Sequence, residues 1–129
     1  MENIFLDSDF IIALVRPADE NHIRAKELYQ GLPIQNILSD HVLDEVVTYL
    51  GGKNEPDIGY EIAKKILSAE HTDVLFSKRE EIVEALEIFN KFKTLSLCDA
   101  LPVILMKRNG IRKILSFDSD LIPGIQRIH

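Results

Sequence analysis

The sequence predicts an α/β fold, a parallel sheet with helices on both of its faces. Three observations carry the prediction. Short β-rich runs alternate with helix-period segments along the chain, which is the signature of successive β–α units. Two of those runs end in the same acid-bearing sequence, IFLDSD at residues 4–9 and SFDSD at 116–120. Finally, 129 residues without a repeat, linker or low-complexity segment suit one domain, residues 1–129, long enough to close a core.

Each element follows from local chemistry. Ile4 to Leu6 reads as a strand that stops at Asp7, with Ser8 or Asp9 as the cap of a helix from Phe10 to Val15 that Arg16-Pro17 ends. Asn21 is placed to cap a second helix, whose Ile23, Ala25, Leu28 and Leu32 keep helical spacing loosely and which Gly31 closes. Ile34 to Leu38 is a second strand, and Ser39 or Asp40 the next cap. Val42, Leu43, Val46, Val47 and Leu50 form a helical stripe that Gly51-Gly52 is expected to break. Pro56-Asp57 starts a helix with Ile62, Ala63, Ile66 and Leu67 on one face. Asp73 to Phe76 is a third strand, and Ser77 caps a helix to about Lys93 with Ile82, Ala85, Leu86, Phe89 and Phe92 in helical register. An apolar helix led by Asp99 then turns at Asn109-Gly110 into a strand from Lys113 to Phe117, and Ile125 to Ile128 is a fifth strand.

Composition excludes several classes. Hydrophobic content of 46% and charged content of 28% are those of a soluble globular chain. A net charge of −6 argues against a protein that coats nucleic acid by charge alone, but not against an enzyme whose acids hold metal ions. The single Cys98 excludes an internal disulfide, fits a reducing compartment, and is expected as a small buried hydrophobe. Met1 leads into a strand with no basic segment, and no apolar run approaches the ~20 residues of a membrane helix. The expectation is a cytoplasmic protein.

Four acids need a reason. Asp and Glu are almost never buried unless paired or bound to metal. Asp7 and Asp118 each end a strand, and parallel sheets bind ligands at the carboxyl ends of their strands, where strand order reverses. If those strands are neighbours, the two acids lie about one strand spacing apart, roughly 5 Å. That separation suits a shared cation and is poor for two bare charges. Glu45 lies on the second turn of the helix after the second strand, and Asp99 in the first turn of the most apolar helix. Each acid alone has an ordinary explanation as a cap, a turn residue or a helix-dipole partner. Four on one expected edge do not.

In their order and spacing, IFLDSDFIIAL, DHVLDEVVTYL and LCDALPVILMKRNGIRKILSFDSDL resemble the PIN domain, in particular the VapC-like toxin nucleases of prokaryotic toxin–antitoxin pairs. The resemblance spans nearly the whole chain. It implies a three-layer α/β/α fold with a five-stranded parallel sheet in the order 3-2-1-4-5, and Mg²⁺- or Mn²⁺-dependent RNA cleavage. It carries the family's four acids onto Asp7, Glu45, Asp99 and Asp118, its small hydroxyl after the first acid onto Ser8, and its Ser or Thr before the fourth onto Ser116. Asp120 falls where some members have a further acid or amide. Two positions depart from the pattern. Asp9 stands where a small polar residue is usual, either capping the first helix or adding charge to the pocket, and Pro102 interrupts the Asp99 helix.

The chemistry expected of these residues is that of hard oxygen ligands for Mg²⁺ or Mn²⁺. Asp7, Asp99 and Asp118 would ligate one or two ions, with Glu45 beside them or acting through water. Hydrolysis by activated water would leave a 5′-phosphate and a 3′-hydroxyl. Ser8 and Ser116 are either orienting hydroxyls or local turn residues. Arg16, Lys53, Lys107 and Arg108 are candidates for the RNA backbone, each equally readable as surface charge. Partners expected are RNA, a small antitoxin protein and a second copy of the chain. The antitoxin would seat on the apolar faces of helices 40–50 and 57–70, including Val42, Val46, Ile62 and Ile66, unless those residues are simply core. Three alternatives stand beside this reading. One is an RNA-processing PIN nuclease outside a toxin system. Another is a haloacid-dehalogenase-type phosphatase with Asp7 as nucleophile and Asp9 as acid–base. The last is a non-catalytic RNA- or protein-binding module.

Overall fold

The computed structural model describes residues 1–30, 34–92, 94–118 and 125–128. Its elements run β1 (Glu2–Leu6), α1 (Ser8–Val15), α2 (His22–Tyr29), β2 (Ile34–Ser39), α3 (Asp40–Gly52), α4 (Pro56–Ser68), β3 (Thr72–Leu75), α5 (Arg79–Lys91), α6 (Leu97–Arg108), β4 (Lys113–Leu115) and β5 (Gln126–Ile128). All strands are parallel, in the order β3-β2-β1-β4-β5. Right-handed crossovers running outward from β1 to β3 put α1 to α4 on one face, and the return to β4 puts α5 and α6 on the other. Contacts between α1 and α3, between α3 and α4, and between α5 and α6 agree with that layering.

β1 sits at the centre because both of its faces are covered. Ile4, Phe5 and Leu6 are buried without alternation, the pattern of a parallel strand between two helical layers. Phe10, Val42, Val46 and Leu50 complete the core on the α1–α4 side. On the other, Ala85 packs with Leu101 and Leu105. Among the described residues no helix is long and apolar enough to cross a membrane.

Several boundaries differ from expectation, each for a local reason. Asp7 itself caps α1, ahead of Ser8 and Asp9. Asn21 makes no side-chain cap bond, and Gly31 and Leu32 lie outside the described residues. Gly51 and Gly52 remain helical, Lys53 is the C-cap of α3, and the chain turns at Asn54, whose φ of 60° is left-handed. Lys78 is the N-cap of α5; Ser77 instead donates its hydroxyl to the Asp40 carboxylate at 3.0 Å. The buried face of α5 is Glu81 and Ala85, with Ile82 packed beside them as expected, while Leu86 and Phe89 are each 45% exposed. Glu81 tolerates burial because its carboxylate accepts the Lys78 N–H at 2.8 Å. Pro102 lies inside α6 and the helix continues through it to Arg108, where Gly110 at φ +65° makes the turn. Val42, Val46 and Ile66 are core, which removes them from the surface proposed for a partner; Ile62 is half-buried.

Candidate active site

β1 and β4 are neighbours, with Leu6 opposite Leu115, so the strand order reverses between them and their carboxyl ends form the switch point. Asp7 follows β1 immediately. Its N–H continues the ladder to the Leu115 carbonyl at 3.1 Å. Its Oδ1 accepts the Ser8 N–H at 2.8 Å and its Oδ2 accepts the Ser116 hydroxyl at 2.9 Å. Ser116 is 3% exposed, and its oxygen in turn accepts the Asp118 N–H at 3.0 Å. One buried hydroxyl thus links the first acid to the backbone of the fourth. It also explains why β4 ends at Leu115: beyond it the chain turns to bond side chains instead of a strand.

Asp9 neither caps α1 nor faces water freely. Its Oδ2 accepts the Phe117 N–H at 3.1 Å, and its Oδ1 lies 3.5 Å from the Ser116 oxygen. The Phe117 ring stacks on Phe10, centroids 5.7 Å apart. Asp118 is held from the other side by Arg127 of β5, whose Nη1 donates to its carbonyl at 2.9 Å. Asp99 is the third helical residue of α6 and closes a capping box. Its carboxylate accepts the Ser96 N–H at 3.2 Å while its own N–H donates to the Ser96 hydroxyl at 3.1 Å. Glu45 lies on the second turn of α3. Asp120 lies outside the described residues.

The acids bear on one another. Burial pushes the Asp7 carboxyl above its ordinary range, hydrogen bonds from Ser116 and the Ser8 N–H hold it down, and the charges of Asp99 and Asp118 push it further up. Asp9 is raised to about 7, first by burial and then by Asp7, against the Phe117 and Phe10 N–H groups. Glu45 is raised by partial loss of water, by Asp7 and by Asp99, with the Ser8 hydroxyl and His41 opposing. The structure therefore brings Asp7, Glu45, Asp99 and Asp118 within electrostatic reach at one edge of the sheet, with a hydroxyl assigned to two of them. An all-oxygen set carrying this much mutual repulsion fits a hard divalent cation. Among the described residues no three acids, histidines or cysteines are already drawn to ligating distance; Asp99 is still engaged by its cap.

Other expectations change. Cys98 is exposed because it precedes the buried run of α6 that begins at Ala100; burial, Glu45 and Asp99 push its thiol up. Arg16, Lys53, Lys107 and Arg108 sit at or just past the C-terminal ends of α1, α3 and α6. Those ends are one helix length, on the order of 12 Å or more, from the acids. Arg16 is paired with Glu55 at 2.6 Å, Arg108 with Glu84, and Lys53 covers the Tyr49 ring. On the edge of the sheet that carries the acids, His41 stands at the start of α3 and Lys78 and Arg79 at the start of α5.

Residues 4–123 match the PIN domain family. The chain belongs to the PIN domain family. This PIN domain superimposes on VapC20 of Mycobacterium tuberculosis, a sarcin-ricin loop cleaving toxin, with a TM-score of 0.84 at 27% identity, covering 91% of each chain. It is also similar in fold to a toxin–antitoxin complex from Klebsiella pneumoniae (TM-score 0.72, 15% identity, 98% of each chain). A third similar structure is the DNA-bound VapBC of Salmonella typhimurium (TM-score 0.66, 15% identity, 98% of this chain and 97% of that one). No curated protein matches the sequence. Family membership sets aside the phosphatase alternative, and the acid–base it would need, Asp9, has its carboxylate turned onto the Phe117 N–H in this PIN domain.

Proposed function

We propose that this PIN domain is a metal-dependent endoribonuclease that cuts single-stranded RNA and is the toxin of a toxin–antitoxin pair. The observation that carries the proposal is Asp7. It is a carboxyl at the switch point, raised first by burial and further by the charges of Asp99 and Asp118, an arrangement costly to a bare protein and relieved by a cation. Asp7, Asp99 and Asp118 would hold Mg²⁺ or Mn²⁺, with Glu45 beside them or reaching through water. When bound, the ion supplies an activated water and stabilises charge on the phosphate and the leaving oxygen. The chain's own residues do the rest. Ser116 fixes the Asp7 carboxylate through its Oδ2, and the Ser8 hydroxyl steadies Glu45. His41, Lys78 and Arg79 stand on the edge where an RNA backbone would approach.

The VapC likeness supports an antitoxin partner that blocks this edge by placing an Arg or Lys among the acids. An apolar surface for such a partner is the groove lined by Leu14 and Val15 of α1, Tyr29 of α2, and Ile62 and Lys65 of α4, which does not include the buried Val42 and Val46. We also propose a homodimer, in the cytoplasm.

The test is cleavage of a labelled single-stranded RNA. The protein should cut with Mg²⁺ or Mn²⁺, leave 5′-phosphate ends, and spare the RNA with a chelator. Asp7→Asn and Asp99→Asn should lose cutting by at least about 100-fold while unfolding cooperatively as the wild type does. Asn at position 99 can still accept the Ser96 N–H. Undiminished cutting by either variant overturns the assignment. A monomer in sedimentation at tens of micromolar, ~50 μM, overturns the dimer.

A further inference from the structure

We infer that Asp9 is a positioning residue that sets Asp118 by clamping the end of β4 onto the start of α1, and that it is not itself a metal ligand. The inference rests on the nuclease reading above for what Asp118 does, and on the structure for the clamp.

Asp9 sits on the first turn of α1, two residues after Asp7. A carboxylate there has two possible fates: it joins the ligand set, or its oxygens are used by the protein. The structure shows the second. Oδ2 takes the Phe117 N–H at 3.1 Å and Oδ1 faces the Ser116 oxygen at 3.5 Å. The Ser116 hydroxyl has a single hydrogen, committed to Asp7 at 2.9 Å, so the 3.5 Å approach is a weak second interaction. The Phe117 N–H is the bond that matters. It belongs to the residue immediately before Asp118, in a segment that has already left the β4 ladder.

Three contacts therefore fix residues 116–118 against α1 and β1. They are the Ser116 hydroxyl on Asp7, the Asp9 carboxylate on Phe117 N–H, and the Phe117 ring on Phe10. Without Asp9, the Phe117 N–H faces a half-buried region with no acceptor identified among these contacts. The 116–117 peptide, which carries that N–H, then loses its tie to α1, and Asp118 keeps only part of its orientation, through its N–H on the Ser116 hydroxyl and its carbonyl on Arg127. A small hydroxyl side chain at position 9 is shorter by one bond and would not span the same gap. In this chain the longer side chain ties a loop end to a helix start.

The two fates give opposite results in one comparison. Asn at position 9 keeps an oxygen that can accept the Phe117 N–H and an amide that can donate to the Ser116 oxygen; it does not keep the charge of a ligand. The experiment compares wild type, Asp9→Asn and Asp9→Ala. It reads amide hydrogen exchange at Phe117 without metal, Mn²⁺ affinity by calorimetry, and kcat and KM for RNA at saturating Mn²⁺.

Positioning predicts Phe117 N–H protected in wild type and Asp9→Asn, and exchanging at least about tenfold faster in Asp9→Ala. It predicts Mn²⁺ affinity within about threefold of wild type for Asp9→Asn and weakened by about 10–100-fold for Asp9→Ala, as expected when a residue that orients a ligand is lost. KM for RNA should stay unchanged in both. Asp9→Asn as defective as Asp9→Ala in Mn²⁺ binding overturns the inference in favour of a ligand. Equal exchange at Phe117 in all three proteins overturns it by removing the clamp. A wild-type protein that neither binds Mn²⁺ nor cuts RNA instead overturns the nuclease reading, and the exchange measurement still decides the clamp on its own.

Discussion

Replacing Ser116 by Ala removes the one hydroxyl that serves both Asp7 and Asp118. In a site 3% exposed, the wild-type oxygen donates to the Asp7 carboxylate at 2.9 Å and accepts the Asp118 N–H at 3.0 Å. The first bond is charge-assisted, worth about 1.5–3 kcal/mol, and the second about 1 kcal/mol. A small gain from burying a methyl in place of a hydroxyl offsets part of this, so the expected loss is about 2–3 kcal/mol at pH 8 in EDTA. The loss should shrink at low pH, because the bond favours ionised Asp7. Above the folded pKa of Asp7 the variant carries the full penalty; as pH falls through that raised value both proteins protonate the group and the difference narrows. Urea unfolding followed by circular dichroism at pH 8 and pH 4, with an unchanged slope, measures both quantities. Ser116→Thr keeps the hydroxyl and should recover most of the loss at pH 8. A destabilisation below about 0.5 kcal/mol, or one equal at the two pH values, refutes the argument.

Asp9 makes a second pH prediction. Its folded pKa is raised from an ordinary 3.8 to about 7, so its contribution is fully present below the unfolded value and is lost as pH rises through the folded one. Metal-free protein should therefore lose stability between pH 4 and 7, on the order of 2–4 kcal/mol if this group acts alone. Asp9→Asn should flatten that slope, and thermal unfolding against pH in EDTA checks both. Gly59 of α4 offers a stabilising change. A Cβ there would meet Leu50 and Val47 at 3.6 Å, ordinary contact distances, so Gly59→Ala should gain about 0.5–1 kcal/mol from reduced chain entropy, read as a higher urea midpoint.

The sheet was legible because parallel strands announce themselves by unbroken apolar runs such as IFL and by the acids that end them. β1, β2 and the α3 stripe sit within a residue or two of expectation for that reason. The strand order itself came from the family likeness. What remained hidden depends on partners far away in sequence. Ser77 reads as a cap, yet its hydroxyl bonds Asp40, 37 residues away. Asp9 reads as a cap or as added charge in the pocket, yet its carboxylate meets the Phe117 N–H, 108 residues away. Period counting places part of the α5 stripe: Ile82, Ala85 and Phe92 pack inward, while Glu81 is buried with its bond to the Lys78 N–H and apolar Leu86 and Phe89 are left outside. Among the acids, residue type and position at strand ends carried the reading of Asp7, Asp118, Glu45 and Asp99. The Ser96-x-x-Asp99 spacing is that of a capping box, so the bond that holds Asp99 to Ser96 was legible locally although the reading did not use it.

Direct location of a divalent ion tests the central claim that these four carboxylates form one metal centre. Crystals of the wild-type protein soaked in Mn²⁺ and recorded at the manganese edge should show an anomalous peak touching Asp7, Asp99 and Asp118, with Glu45 at its side and Asp9 still on the Phe117 N–H. A peak elsewhere on the molecule, or none between Asp7 and Asp99 in crystals that bind Mn²⁺, contradicts the account.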